Sequence, residues 1–139
     1  MGIVDTAKAI AFAAHAGQTR KDGKTPYIHH PADVARRLAG EDDSVIATAW
    51  LHDVLEDSAV SEENLISQGM PLEVVEAVAV LTKAKGLCYQ DYLKSVADSA
   101  VAKKVKIADI LSNLSDDPSE RAVVKYAKAL LFLYTEDGE

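Results

Sequence analysis

The sequence has little cysteine, few aromatic residues and no long apolar run, and each shortage excludes a class of protein. Its single cysteine, Cys88, excludes an internal disulfide and is typical of a chain from a reducing compartment. No apolar run approaches the roughly 20 residues that a membrane-spanning helix needs, and the N-terminus has no signal-peptide pattern. We therefore expect a cytoplasmic protein with no membrane partner.

The composition favours a small helical protein. With 139 residues the chain is long enough for one ordinary domain and too short for two, so we expect a single domain over residues 1–139. It is 48% hydrophobic but only 6% aromatic, and it is rich in alanine, leucine and valine, which favours helices packed on helices. The net charge of −7 argues against a nucleic-acid partner.

Helical periodicity and turn signals divide the chain into seven or eight helices. No long stretch shows the period-two alternation of a strand, so the predicted fold class is all-α. We expect the last residues, Thr135 to Glu139, to fray. The predicted helices span about 4–16, 31–40, 44–56, 61–67, 71–82, 89–97, 99–114 and 118–134.

The predicted helix over 44–56 is apolar nearly all round, apart from one polar cluster at its end. His52, Asp53, Glu56 and Asp57 fall within an arc of roughly 140° on a helix, and core-type residues share that arc. Buried carboxylates and imidazoles are costly unless they are paired, protonated or bound to a metal. A hydrogen-bonded core histidine is the plainer reading, and from the residues alone both readings stay open.

Two further polar groups carry weaker signals. His29 and His30 precede Pro31, where either histidine could be a metal ligand or a simple helix-capping residue. Asp109 and Asn113 lie four residues apart on the side of their helix that faces away from an apolar stripe, so the pattern predicts a solvated polar face. The stripe consists of Ile107, Ile110, Leu111 and Leu114.

Basic residues come in three places, and a solvated surface is the default reading for each. A metal in the polar cluster would favour the hypothesis of an anionic substrate, and some of these side chains could then bind its phosphates. The three groups are Arg20, Lys21 and Lys24; Lys83 and Lys85; and Lys103, Lys104 and Lys106.

Four stretches taken together resemble one known family. They are AHAGQTRKDGKTPYIHHPADVA at 14–35, WLHDVLED at 50–57, VAVLTK at 78–83 and VKIADILSNL at 105–114. In this order and spacing they resemble the HD-domain hydrolases of the RelA/SpoT type, in particular the small single-domain alarmone hydrolases. The resemblance covers about residues 7 to 134, and it implies an all-helical HD fold.

The resemblance also implies a metal site. Members of that family bind one divalent metal, typically Mn²⁺, through two histidines and two aspartates. The matching positions here are His30, His52, Asp53 and Asp109, with His30 preferred over His29 because the family's ligand directly precedes the proline. Imidazole and carboxylate together suit Mn²⁺ or Fe²⁺, and Zn²⁺ also fits.

The reaction implied by the resemblance removes the 3′-pyrophosphate of guanosine tetra- or pentaphosphate, the alarmones of the stringent response. The products would be GDP or GTP and pyrophosphate. Glu56 and Asp57 match the family's catalytic pair. Glu56 is expected to position the attacking water or take its proton, and Asp57 to support Glu56 or relay protons. Arg20 and Lys21 match its basic loop near the nucleotide, and Asn113 matches an asparagine that helps to hold it.

Two positions depart from the family pattern. Ile110 stands where the family commonly has an arginine, and Ser112 where it commonly has a histidine. The chain also ends soon after its last predicted helix. Two alternatives therefore stay open: an HD phosphohydrolase for another nucleotide, such as a phosphorylated dinucleotide cofactor, and a non-catalytic sensor that binds metal and nucleotide. The sequence does not predict an oligomeric state.

Overall fold

The computed structural model describes residues 2–135, and over that range helices are joined by turns and loops, with one isolated β-bridge between Thr19 and Pro26 and no β-strand. The predicted all-α class is confirmed. None of the helices in this range combines the length and the apolar character needed to cross a membrane. The helices are α1 Ile3–Ala14, α2 His29–Arg37, α3 Asp43–Leu51, α4 Val54–Asp57, α5 Glu62–Ser67, α6 Leu72–Leu81, α7 Tyr89–Ala97, α8 Ala100–Leu114 and α9 Glu120–Thr135.

Of the segment Thr135 to Glu139, which we expected to fray, the structure describes only Thr135. Thr135 is the last residue of α9, and its hydroxyl donates a hydrogen bond to the carbonyl of Leu131 at 2.8 Å. Thr135 is therefore helical, contrary to the expectation, and residues 136–139 lie outside the described range.

The predicted helix over 44–56 is interrupted, which is why residues 2–135 contain nine helices where we expected seven or eight. His52 and Asp53 form a turn between α3 and the four-residue α4. The backbone of Asp53, with φ −106° and ψ 0°, departs from regular helical values. In a regular helix adjacent side chains point about 100° apart, and the turn loosens that constraint on these two residues.

α3 lies at the centre of the fold. It packs against α1, α2, α6 and α8, and six of its nine residues are buried, as the apolar character of the segment predicts. Leu51 at its end and Val54 just beyond the turn have no exposed surface. Each such side chain contributes about 1.5–3 kcal/mol of transfer free energy, and the turn is therefore held firmly between them.

The loop between α1 and α2 is ordered by its own hydrogen bonds. The backbone N–H of Arg20 donates to the carbonyl of Thr25 at 2.7 Å, and that of Tyr27 donates to Gln18 at 2.8 Å. The hydroxyl and backbone N–H of Thr25 both donate to the Asp22 carboxylate, which lowers the pKa of Asp22 to about 2. This loop therefore presents Arg20 and Tyr27 in defined positions.

The apolar stripe predicted on α8 is partly wrong. Ile110 is fully buried, but Leu111 is 38% exposed. The face that carries Asp109, predicted to be solvated, is buried, because α8 lies among α2, α3, α6, α7 and α9 and is covered on more than one side. A single stripe cannot describe a helix with that many neighbours.

Candidate metal centre

Three helices bring a cluster of ligand-type atoms together. His30 comes from the start of α2, His52 from the turn after α3, and Asp109 from α8. Each offers one ligand atom, and these three atoms lie within 4.8 Å of one another. The residues are 4%, 3% and 6% exposed, so water does little to screen their charges. Nitrogen and carboxylate donors in this arrangement suit a transition-metal ion.

Asp53, the fourth ligand implied by the resemblance, lies beside the same cluster. Its Oδ2 is 3.1 Å from Nε2 of His52 and 3.9 Å from Nε2 of His30. The hydroxyl of Tyr27 donates to this oxygen at 2.5 Å and orients it. The turn at His52 and Asp53 thus allows two adjacent residues to reach one centre.

The ring of His52 is oriented for ligation through Nε2. Its Nδ1 lies 2.7 Å from the carbonyl oxygen of Ala49, which can only accept, so Nδ1 carries a proton. Once Nε2 loses its own proton, the lone pair of Nε2 faces the centre of the cluster. Nε2 is buried and makes no hydrogen bond to a described residue. It lies 3.1 Å from the carboxylate of Asp53 and 3.4 Å from that of Asp109, and these contacts are ion pairs while the ring is protonated.

The ring of His30 is oriented by Ser112. Nδ1 of His30 lies 3.1 Å from the hydroxyl oxygen of Ser112, and Nε2 lies 2.8 Å from Oδ1 of Asp109. A hydrogen bond to the far nitrogen is the usual way in which a metal-binding histidine is held. Ser112, one of the two departures from the family pattern, thus contacts His30, a ligand implied by the resemblance.

The electrostatics of the cluster favour a positive charge at its centre. Burial alone would lower the pKa of His52, but the carboxylates of Asp53 and Asp109 raise it well above its ordinary value. Burial alone would raise the pKa of Asp109, but Lys106 and the two histidines hold it well below its ordinary range. A divalent cation would satisfy the same carboxylates and the unpartnered Nε2 atom, so the residues present fit a metal.

Glu56 and Asp57 follow one helical turn later and are exposed at the edge of the cluster. Burial, followed by repulsion from Asp53, raises the pKa of both carboxyl groups. Glu56 lines the same cavity as His52, Asp53 and Asp109. A carboxylate with a raised pKa beside such a cluster is suited to accept a proton.

The backbone of Asp57 is held from the loop before α2. Its carbonyl oxygen accepts a hydrogen bond from Nε2 of Gln18 at 2.7 Å. The side-chain oxygen of Gln18 lies 2.9 Å from Nδ1 of the buried His15. The buried His15 is therefore part of the support behind the α4 segment.

The three predicted substrate-binding residues lie together at a recess of about 310 Å³. Nη2 of Arg20 donates to Asp116 at 2.9 Å and to Oδ1 of Asn113 at 3.2 Å. Nζ of Lys21 donates to the carbonyl of Asp117 at 3.3 Å. Nδ2 of Asn113 donates to Oδ1 of Asp109 at 3.3 Å, so this group contacts the cluster. We call Arg20, Lys21 and Asn113, with the recess that they line, the arginine side.

A larger cavity of about 510 Å³ also borders the cluster. Its walls include His52, Asp53 and Asp109, together with the cavity-lining lysines Lys106 and Lys125. We call this cavity, with Lys83, Lys106 and Lys125 as its basic residues, the lysine pocket. It shares no lining residue with the recess of the arginine side.

Sequence reasoning missed several residues of the site. Lys106 was read as surface, yet its Nζ is 3.0 Å from Oδ2 of Asp109. Its position three residues before Asp109 on the same helix was an available signal. Tyr27 and Lys125 gave no such signal, because their roles depend on contacts with residues far away in sequence.

Comparison with known proteins agrees with the architecture. Residues 7–130 match the HD domain family. A guanosine-3′,5′-bis(diphosphate) 3′-pyrophosphohydrolase of Xenopus tropicalis is 39% identical over 121 residues, which cover 78% of this chain and 67% of that protein. An enzyme of the same name from Vibrio cholerae is 44% identical over 80 residues, but these are 55% of this chain and only 11% of that much longer protein.

The fold also matches a solved structure. That protein is described as a metazoan ortholog of SpoT that hydrolyses ppGpp and plays a role in starvation responses. The TM-score is 0.81 at 29% sequence identity, with 97% of this chain and 86% of the other covered. The helical arrangement is therefore shared over nearly the whole chain.

Proposed function

This chain belongs to the HD-domain family, and from that premise we propose that it is a metal-dependent hydrolase of guanosine 3′,5′-polyphosphates. It removes the 3′-pyrophosphate of ppGpp or pppGpp and releases GDP or GTP with pyrophosphate. Water forms a bond to the phosphorus on the ribose 3′-oxygen, that oxygen leaves and takes up a proton, and pyrophosphate is the second product. We further propose that it acts in the cytoplasm, on the alarmone of the stringent response.

The observation that carries this proposal is the convergence of His30, His52 and Asp109 with Asp53 beside them, next to Glu56. We propose His30, His52, Asp53 and Asp109 as the ligands of one divalent metal. Mn²⁺ is the first candidate because it accepts imidazole and carboxylate ligands together. When bound, such an ion supplies Lewis acidity, which polarises a phosphoryl oxygen and makes a water molecule more acidic.

We propose that Glu56 takes the proton of the attacking water. It lines the cavity beside the cluster, and its raised pKa makes it a stronger base than a glutamate with an ordinary pKa. Asp57 follows it in α4, where the bond from Gln18 fixes its backbone. In this proposal Asp57 orients Glu56 and accepts the proton next.

On the arginine side, Arg20, Lys21 and Asn113 are proposed to hold the nucleotide. Arg20 offers a planar group that can bind phosphate at two points, or stack on a base. Its guanidinium carbon already lies 5.5 Å from the ring centre of Tyr27. Asn113 and Asp109 both lie on α8, so this helix joins the proposed nucleotide site to the ligand cluster.

The two departures from the family pattern do not favour another nucleotide. Ile110 is fully buried, and Ser112 is 5% exposed with its hydroxyl next to His30. Neither side chain lines the arginine recess or the lysine pocket, but Ser112 borders a smaller recess of about 210 Å³ with Arg20 and His30. The position of neither side chain by itself points to a different substrate or to a sensor role.

The direct test is release of pyrophosphate from ppGpp by the purified protein with and without Mn²⁺. We expect turnover with metal, its loss on addition of a chelator, and its loss in His52→Ala. His29→Ala is the matched control, since His29 lies next to a proposed ligand but outside the cluster. No release from fully metal-loaded protein would reject the proposal.

A further inference from the structure

The lysine pocket contains positive charge that the metal centre does not use. Its inner wall is formed by the cluster residues His52, Asp53 and Asp109. Lys83 enters it from the loop after α6, and Lys125 enters it from α9. These two lysines are therefore far apart in sequence but border the same cavity beside the reacting centre.

Lys106 differs from the other two lysines because its ammonium group is already paired with a carboxylate of the protein. Its Nζ donates to Oδ2 of Asp109 at 3.0 Å and lies 5.4 Å from the ring centre of Tyr92. Burial alone would lower the pKa of Lys106, but Asp109 raises it. This lysine stays charged, and it holds a proposed metal ligand rather than a free anion.

Among the described residues, Lys83 and Lys125 have no carboxylate partner of this kind. Both are exposed residues, and neither forms an ion pair with a described residue. Nζ of Lys125 lies 4.6 Å from the ring centre of Tyr89 and 5.5 Å from that of Tyr126. Contacts with aromatic rings orient an ammonium group without neutralising its charge.

The carboxylates of the pocket do not compensate these lysines. Asp53 and Asp109 face the histidines of the cluster and would be neutralised by a divalent ion. Glu56 is then the one remaining acidic group among the lining residues, whereas Lys83 and Lys125 have no carboxylate partner among the described residues. With metal present, the outer part of the cavity is therefore positive, which attracts an anion.

We infer that Lys83 and Lys125 form a phosphate subsite that binds a diphosphate group of the substrate, separate from the arginine side. This inference rests on the proposed function, because the substrate then carries diphosphates on both the 3′ and the 5′ oxygens of one ribose. One basic region can contact one of these groups closely. The second basic region beside the same centre takes the other.

The test compares Lys83→Gln and Lys125→Gln with two control variants from the same segments. Lys85→Gln lies in the same loop as Lys83, and Lys128→Gln lies on α9 as Lys125 does, and neither control residue lines the pocket. We expect each pocket variant to raise KM for ppGpp roughly fivefold with little change in kcat. The controls should stay within twofold of the unaltered protein.

Two measurements identify which diphosphate binds there. If the subsite holds the 5′-diphosphate, the pocket variants raise KM for ppGpp but not for guanosine 3′-diphosphate, which lacks the 5′ phosphates. If it holds the 3′-pyrophosphate, KM rises for both substrates, and inhibition by inorganic pyrophosphate weakens. The subsite is rejected if the pocket variants match the controls in KM for ppGpp, in KM for guanosine 3′-diphosphate and in inhibition by inorganic pyrophosphate.

Binding without turnover separates this inference from the proposed function. GDP and inorganic pyrophosphate are titrated by calorimetry into the metal-loaded protein and its variants. If the protein hydrolyses no ppGpp, the proposed function fails, but weaker binding of either ligand by both pocket variants still supports the subsite. Equal binding by pocket variants and controls, or no binding at all, overturns it.

Discussion

The arginine side and the lysine pocket flank one ligand cluster, but their basic residues are held in different ways. Arg20 is bonded to Asp116 and Asn113 and lies over Tyr27, so the protein itself satisfies its charge. Lys125 has only aromatic rings as partners among the described residues, and Lys83 forms no ion pair there. The first arrangement favours orientation of a ligand, and the second favours attraction of charge.

Asp109 joins the two regions. From the lysine pocket its Oδ2 accepts a hydrogen bond from Lys106, and from the arginine side its Oδ1 accepts one from Asn113. The same Oδ1 lies 2.8 Å from Nε2 of His30. A change at this residue therefore disturbs both regions and the ligand cluster together, whereas changes further out affect one region alone.

The largest expected effect follows from Asp109→Asn. The substitution removes the charge that both regions share, so we expect kcat/KM for ppGpp to fall by on the order of 10³ or more. Affinity for Mn²⁺ should fall as well. Asp98→Asn, an exposed position at the end of α7, is the control. Activity within tenfold of the unaltered protein would show that Asp109 is not a ligand.

The next effect concerns the pH dependence of metal affinity. The raised pKa of His52 means that Nε2 stays protonated to a higher pH than an exposed histidine, and metal must displace that proton. Affinity for Mn²⁺ should therefore rise with pH, by up to about tenfold per unit below that pKa. Titrations at several pH values measure this, and an affinity independent of pH from 6 to 8 would contradict it.

A smaller effect, of opposite sign to that of the lysine variants, is expected from Asp116→Asn. If Arg20 binds the substrate as proposed, Asp116 competes with it for that side chain. The side chain of Asp116 is 48% exposed, so its ion pair with Arg20 is worth about 1 kcal/mol or less. We expect KM for ppGpp to fall up to about fivefold. A rise in KM would show that Asp116 holds Arg20 in its productive orientation, and Asp117→Asn provides the comparison.

The smallest effect is expected from Tyr89→Phe in the wall of the lysine pocket. The Tyr89 hydroxyl is buried without a hydrogen-bond partner among residues 2–135. Its removal should raise the free energy of unfolding by up to about 1 kcal/mol. The ring that contacts Lys125 is retained, so KM should change less than twofold, and a larger rise would make the hydroxyl a substrate ligand.

Tyr92→Phe is the matched comparison on the same helix. The hydroxyl of Tyr92 donates to the carbonyl of Leu81 at 2.7 Å. Its loss should lower the free energy of unfolding by about 1 kcal/mol, opposite in sign to the change at Tyr89. Denaturant titrations of both variants measure the difference, and equal signs would contradict the assignment.

Much of the fold could be predicted from local pattern. The bounds of most predicted helices lie within a few residues of the observed ones, because caps, prolines and glycines act over short distances. The turn at His52 and Asp53 was missed because neither glycine nor proline marks it. The buried polar face of α8 was missed from periodicity because a helix with several neighbours has no single solvent side.

Composition and periodicity were enough to predict the all-α class, because helical propensity and turn signals are local. The candidate ligands His30, His52, Asp53 and Asp109 came from the resemblance to the HD family, and their roles stay a prediction. The packing of the helices was needed to show that Asp109 faces the two histidines, that Lys106 is paired with it, and that Lys83 and Lys125 border one cavity. These relations join residues distant in the chain, and helix packing alone decides which of their faces meet.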